Sequence, residues 1–197
     1  MLRDATVVDA DAVAILVLHE LERRQLRQLR RVSKEQLSQL LFVGYQQPDF
    51  RYGFPQARVY QNQGVAVGVA YGYPAAREPQ LDSQWTALFR RLQVTAPQVP
   101  VIRPHALADE WYLDLLTVNP RYAHKTYQQR WFAEWLMSDV LHRARMSGAR
   151  YVGLDVRPGS PLATLAAQFG FVGTQWRSFD RRALLHLRYK LTAEIKN

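Results

Sequence analysis

The sequence predicts a mixed α/β fold, and three observations carry that prediction. Runs with a helical apolar period alternate with short β-prone runs, in the order strand, helices, hairpin, strand, helix, strand, helix, hairpin. Turn residues fall between them, at Asn62-Gln63-Gly64, Asn119-Pro120, Gly148 and Asp180-Arg181. The 197 residues are 48% hydrophobic and 22% charged. That is the balance of a globular domain, which at this length buries about 70% of its unfolded surface and needs no metal or disulfide.

Residues 2–7 read as a short strand, with Asp9 or Asp11 placed to cap a helix. Val13, Leu16, Val17, Leu21 and Leu29 set a helical period over residues 13–30, and the rest of that stretch is strongly charged. Ser33 and Gln36 make a capping box for a second helix through Leu37, Leu40 and Leu41. After a loop at 46–54, residues 57–61 and 65–73 form a hairpin. Gly68 and Gly72 in its second strand mark a bulge or a close approach to the backbone.

Residues 75–109 are broken by prolines, with one helix expected over 82–92. They read as an insertion within a single domain spanning 1–197, because their apolar content does not support a core of its own. Residues 111–118 form the next strand. A helix follows over 125–146, with Trp131, Trp135, Leu136 and Val140 expected on its core face and Gly148 as its stop. Residues 151–156 read as a strand buried on both faces. A short helix capped near Ser160 and a hairpin over 170–192 complete the chain.

Composition narrows the chemistry. No cysteine is present, which excludes a disulfide scaffold, a thiolate nucleophile and a Cys-based zinc site. The first residues carry Arg3, Asp4, Asp9 and Asp11, and no apolar run is long enough to span a bilayer, so a cytoplasmic protein that does not enter the membrane is expected. A net charge of +9 is compatible with nucleic acid, anionic lipid or a phosphate-bearing cofactor. Arg23, Arg24, Arg27, Arg30 and Arg31 could track phosphates, but no aromatic residues for base stacking lie among them, so nucleic-acid binding ranks last. His105, His142 and His186 are isolated and lack metal-ligand spacing, and Ser160 has no nucleophile-elbow context.

Several strings carry a resemblance. They are the run from Glu110 through Leu115 and Val118-Asn119-Pro120-Arg121-Tyr122, then Tyr151-Val152-Gly153-Leu154-Asp155-Val156, then Gln168-Phe169-Gly170-Phe171. In this order, over nearly the whole chain, they resemble the GNAT N-acetyltransferase superfamily. Asp49-Phe50-Arg51-Tyr52-Gly53 and the run from Gly68 to Pro74 resemble a bacterial subset of it. The resemblance implies a mostly antiparallel central sheet flanked by helices. It also implies acetyl-CoA as co-substrate, with the pantetheine on the main chain at Thr117 and Val118 and the pyrophosphate on backbone N–H groups at a helix start. That loop reads Ala123, His124, Lys125, Thr126, Tyr127, Gln128. Ala123 stands where the family has Gln or Arg, and Thr126 and Gln128 stand at its two small positions. The tyrosine that acts as acid in the family falls on Ala166 or Ala167.

Acyl transfer to an amine needs a base. Asp114, a charged residue inside an apolar strand, must be paired or must face a cleft, and it is the catalytic candidate. Glu110 reads as exposed at the strand start. Tyr71 and Tyr73 are the candidates for binding the acceptor. The expected function is acetyl transfer to an amine of a small molecule or peptide, with oligomerisation left open. The alternatives are a catalytically inactive member binding a ligand or partner, and weak nucleic-acid association through the basic helix.

Overall fold

Seven strands pair in the order β1-β2-β3-β4-β5-β7-β6. They are β1 (Leu2–Asp4), β2 (Ala57–Asn62), β3 (Val65–Pro74), β4 (Glu110–Val118), β5 (Tyr151–Val156), β6 (Val172–Phe179) and β7 (Arg182–Lys190). The computed structural model describes residues 1–26, 29–94, 105–122 and 126–192, with backbone alone at Tyr122, Thr126, Tyr127 and Gln129. Every neighbouring pair is antiparallel except β4 and β5. The helices are α1 (Ala10–Arg24), α2 (Lys34–Tyr45), α3 (Glu78–Arg91), α4 (Thr126–Met146) and α5 (Pro161–Gln168).

Local chemistry explains most boundaries. α1 stops at Arg24, six residues before the sequence period suggests, because Gln25 takes a left-handed conformation with φ 48°. Ser33 accepts from the Gln36 N–H at 3.1 Å while Gln36 returns a bond to Ser33, so the capping box forms as read. Gln63 and Gly64 both take positive φ, as do Asp180 and Arg181, the geometry of tight hairpin turns. α3 begins at Glu78 rather than 82, since Pro79 suits the first turn of a helix.

Two apolar cores cover the two faces of the sheet. α1, α2 and α3 pack over Val59, Val69, Tyr71 and Leu115. Trp85, Leu88 and Phe89 of α3 join this core, so the segment before β4 is tied into the main body. α4 and α5 cover Ala70, Trp111, Leu113, Leu116 and Leu154 on the other face. Trp131 and Trp135 are not in that core, contrary to the sequence reading: they are 57% and 60% exposed. The buried stripe of α4 is Phe132, Leu136, Met137, Val140 and Ala144, one residue further round the helix.

Two irregularities of β4 position the site. β4 pairs with β5 only over Glu110–Tyr112 against Tyr151–Gly153. Beyond Tyr112 it follows β3 while β5 follows β7, and a cleft opens between the two halves. At the mouth Leu113 pairs with Gly72 and Leu115 with Tyr71, leaving Asp114 without a partner on β3. That bulge breaks the side-to-side alternation. Leu113 and Leu115 consequently enter opposite cores, and Asp114 and Leu115 both turn toward α1.

Candidate active site

The cleft between β4 and β5 is roofed by the C-terminal end of α1 and closed at its far side by the β6–β7 hairpin. Its wall is apolar over much of its area and carries charged groups from α1, β4, β5, β7 and the loops between elements, among them Arg24, Asp114, His105, Asp155, Arg157 and Arg182.

Asp114 lies at the centre of a buried ion cluster. Arg51, 1% exposed, reaches it at 3.2 Å, meets Glu78 at 3.4 Å, and also contacts Asp82. Arg24 donates to the Asp114 carbonyl at 2.7 Å and to Glu20 at 3.0 Å. Burial opposes the charge on Asp114, but Arg51 and then Arg24 outweigh it and hold the carboxyl below the usual carboxylate range. Burial wins at Asp82, whose carboxyl is raised despite Arg51. Such an Asp114 is a weak base. Its Oδ2 is enclosed and ion-paired with Arg51 at 3.2 Å, so the carboxylate gives the cleft wall negative potential rather than an open acceptor.

The tyrosines assigned to the acceptor are placed differently by the fold. Tyr71 is fully buried and donates to the Tyr52 carbonyl at 2.9 Å. Tyr73, 1% exposed, donates to Glu78 at 3.1 Å and accepts from Arg51. Both hydroxyls are used inside the protein because β3 is a central strand covered on both faces. Tyr52 and Tyr112 line the cleft instead.

A second chain of groups runs along the opposite wall. His105 Nδ1 lies 3.2 Å from Asp155 Oδ2, and Asp155 Oδ1 lies 2.7 Å from His186 Nδ1. His186 Nε2 then meets Glu110 at 3.0 Å. Glu110 is 2% exposed, not a surface residue, since the β4–β5 pairing and β7 close over it. Burial penalises the Asp155 charge, yet His105, His186 and Arg177 hold it well below the usual range. His186 is raised: burial works against its positive form, but its bonds to Asp155 and Glu110 prevail. The His105 backbone is strapped by Glu78, which accepts its N–H at 3.0 Å, and its carbonyl accepts from Arg177. Its ring packs on Tyr112 and Phe179. With Nδ1–H directed at Asp155, the Nε2 of His105 makes no hydrogen bond among the described residues.

No protein-family model and no curated protein matches this sequence. Solved structures do. One described as an acetyltransferase is 30% identical, superposes with a TM-score of 0.81, and the match covers 98% of this chain and all of that one. The chain belongs to the GNAT acetyltransferase superfamily. An N-acetyltransferase from Staphylococcus aureus Mu50, 17% identical over 96% of this chain and 100% of that one, shares the fold at TM-score 0.81. So does yncA from Salmonella typhimurium, solved with its cofactor acetyl-CoA, at 16% identity, TM-score 0.56 and coverage of 98% and 94%.

The mostly antiparallel seven-stranded sheet is therefore the GNAT sheet, and the parting of β4 from β5 is the place to test for acetyl-CoA. From Leu113 to Val118 the edge of β4 away from β3 pairs with no strand among the described residues, which leaves main-chain N–H and C=O groups of the kind that pantetheine amides would need. Gly68 lies against this end: a Cβ there would sit 3.3 Å from Val118 and 3.4 Å from the Thr117 carbonyl. At the start of α4 the Gln128 side-chain oxygen is buried and makes no hydrogen bond among the described residues. These features fit the pantetheine portion and a polar group at the helix start. Ala123, His124 and Lys125 lie outside the described residues, as do the side chains of Thr126 and Tyr127. On α5, Ala166 is fully buried and Ser160 Oγ caps the helix by accepting from Ala163 at 3.2 Å. Sequence reading weighed His105 only as a metal ligand and set it aside, and it passed over Asp155, Arg157 and Arg182 as site residues. The one signal was the Asp155 carboxylate inside an otherwise apolar strand.

Proposed function

We propose that the protein is an acetyl-CoA-dependent N-acetyltransferase acting on an amine of a small molecule or peptide. The observation that supports this best is His105 on the cleft wall, held by Asp155 through Nδ1 with Nε2 open, where β4 parts from β5. The main chain of β4 and the first turn of α4 hold the co-substrate. Bound acetyl-CoA supplies an activated acetyl thioester, whose C–S bond breaks as the amine nitrogen forms the new C–N bond.

The residues of the chain do the rest. Asp114, kept ionised by Arg51 and Arg24, attracts the acceptor ammonium into the cleft but does not take its proton. His105 is the base: the ammonium first loses one proton to solvent, and Nε2, in the tautomer Asp155 fixes, then takes a second as the C–N bond forms and returns it to the departing sulfur. Asp155, itself tied to His186, balances the charge that His105 gains. This reading replaces the family tyrosine, for which α5 offers only alanine.

Two measurements test it. Calorimetric titration should give acetyl-CoA binding of high-micromolar to millimolar strength, about −4 to −6 kcal/mol. His105→Gln should lower kcat about 10²–10⁴-fold, the range for loss of a general base, with acetyl-CoA affinity unchanged. No heat and no thermal shift at millimolar acetyl-CoA would remove the enzyme reading. Full activity in His105→Gln would move the base elsewhere.

A further inference from the structure

α4 carries two stripes. Phe132, Leu136, Met137, Val140 and Ala144 are buried against the sheet. On the opposite side Trp131, Trp135, Ser138, His142 and Arg145 succeed one another at steps of four, three, four and three residues. At about 100° per residue these five positions fall within about 80° of the helix circumference. That alternation of fours and threes is the spacing of a coiled-coil seam, the pattern by which one helix meets another. The first four positions are exposed, the two indoles most conspicuously. An indole placed so is costly in water, since an aromatic side chain can bury about 150–250 Å².

The chemistry of the stripe says what covers it. Its first half is aromatic, its second half carries His142 and Arg145, and the small Ser138 lies between them. The groove beyond its end adds Arg150 and Lys190 and is lined by no carboxylate. Glu134 and Asp139 flank the stripe, the first paired with Arg130 at 2.7 Å and the second with Arg58 at 2.9 Å. A nucleic acid or an anionic membrane laid on the indoles would meet those carboxylates, and like charges repel. A second copy of the stripe, running antiparallel, meets its own complement. With a two-fold axis between residues 135 and 138, Trp135 lies over the other copy's Ser138, large against small. Trp131 lies against the other copy's His142, a ring on a ring. Every such contact occurs twice, as an isologous interface requires.

We infer that α4 is a dimer interface, at which two copies of this chain pair their outer stripes antiparallel about that axis. The five seam positions extend about 21 Å along the helix. α4 covers the sheet face opposite α1, whose end roofs the cleft, so the cleft mouth stays open in the dimer. The inference stands apart from the acetyl-transfer reading, because it uses no residue of the cleft wall.

The test is sedimentation of the full chain over a micromolar concentration series. Wild type should show a monomer–dimer equilibrium. Trp135→Glu should weaken association at least about tenfold, as loss of a buried tryptophan anchor does. Ser138→Trp should weaken it as well, because two indoles then meet in each layer. The exchange variant, Trp135→Ser with Ser138→Trp, sets large against small again and should restore the dimer. All these positions face away from the core, so the circular dichroism of each variant should match wild type and reports on folding separately. A chain monomeric at every concentration, a dimer indifferent to Trp135→Glu, or a folded exchange variant that stays monomeric would overturn the inference. So would binding of a single-stranded oligonucleotide or of phosphatidylglycerol vesicles by a monomeric wild type, lost in Trp135→Glu, which would give the stripe to another occupant.

Discussion

Arg51 is the residue on which the acceptor side of the cleft depends. A guanidinium 1% exposed has left water entirely, and its return comes from Asp114, Asp82, Glu78 and the Tyr73 hydroxyl. Removing one partner of such a cluster is worse than never having built it, because the opposite charges stay buried. Arg51→Met should therefore destabilise the protein by about 3–5 kcal/mol, read from urea unfolding, although methionine fills much of the same space. It should also release Asp114 from the cation that lowers its pKa, visible as a rise in the carboxyl titration. An Arg51→Met variant as stable as wild type would show that the cluster contributes nothing to the fold.

At the scale of elements, β4 carries the most information, because its bulge, its short pairing with β5 and its free edge coincide. Two glycines permit this. A Cβ on Gly72 would come within 1.9 Å of the Trp111 ring, and one on Gly153 within 2.3 Å of the Glu110 carboxylate. Gly153→Ala should cost about 1–3 kcal/mol of stability by overpacking, and should displace Glu110 from His186, seen as an altered His186 imidazole resonance. An unchanged melting temperature with an unchanged imidazole signal would rule this out.

The first turn of α4 has the opposite character, with side chains where close approach of a phosphate favours none. Thr126→Gly combined with Gln128→Gly should tighten acetyl-CoA binding while costing about 0.5–1 kcal/mol per substitution in helix stability. Unchanged or weaker affinity in the folded variant would end the idea that these side chains obstruct the ligand.

Over the whole molecule the buried charges couple stability to pH. Asp114, Asp155, Glu20 and Asp9 all titrate below their ordinary values in the folded chain, so the stability they contribute is present above about pH 4 and is lost as pH falls through their folded values. Asp82 is raised and acts in the opposite sense: its contribution is full below about pH 4 and is lost as pH rises through its higher folded value. His186 is raised too: its contribution is full below about pH 6.5 and is lost as pH rises through its folded value. The melting temperature should therefore fall steeply below about pH 4. His186→Gln should flatten the decline expected on the alkaline side. A melting temperature level from pH 3 to 8 would contradict both assignments.

Short-range chemistry was legible in the sequence. The Ser33–Gln36 box, the Gln63-Gly64 and Asp180-Arg181 turns, the Gly148 stop and the order of strands and helices each depend on residues a few positions apart, where propensity and capping act. So did the suspicion that Asp114 must be paired or face a cleft, because a charge between leucines admits little else. Tertiary structure decided what these elements meet. It turned Trp131 and Trp135 outward by one step around α4, buried Tyr71 and Tyr73, and gave Asp114 to Arg51, 63 positions away in sequence. It also joined His105 to Asp155 across 50 residues. Periodicity marks which residues share a face, whereas the partner across a cleft is chosen by strand order and by where two strands cease to pair, and neither leaves a local mark in the sequence.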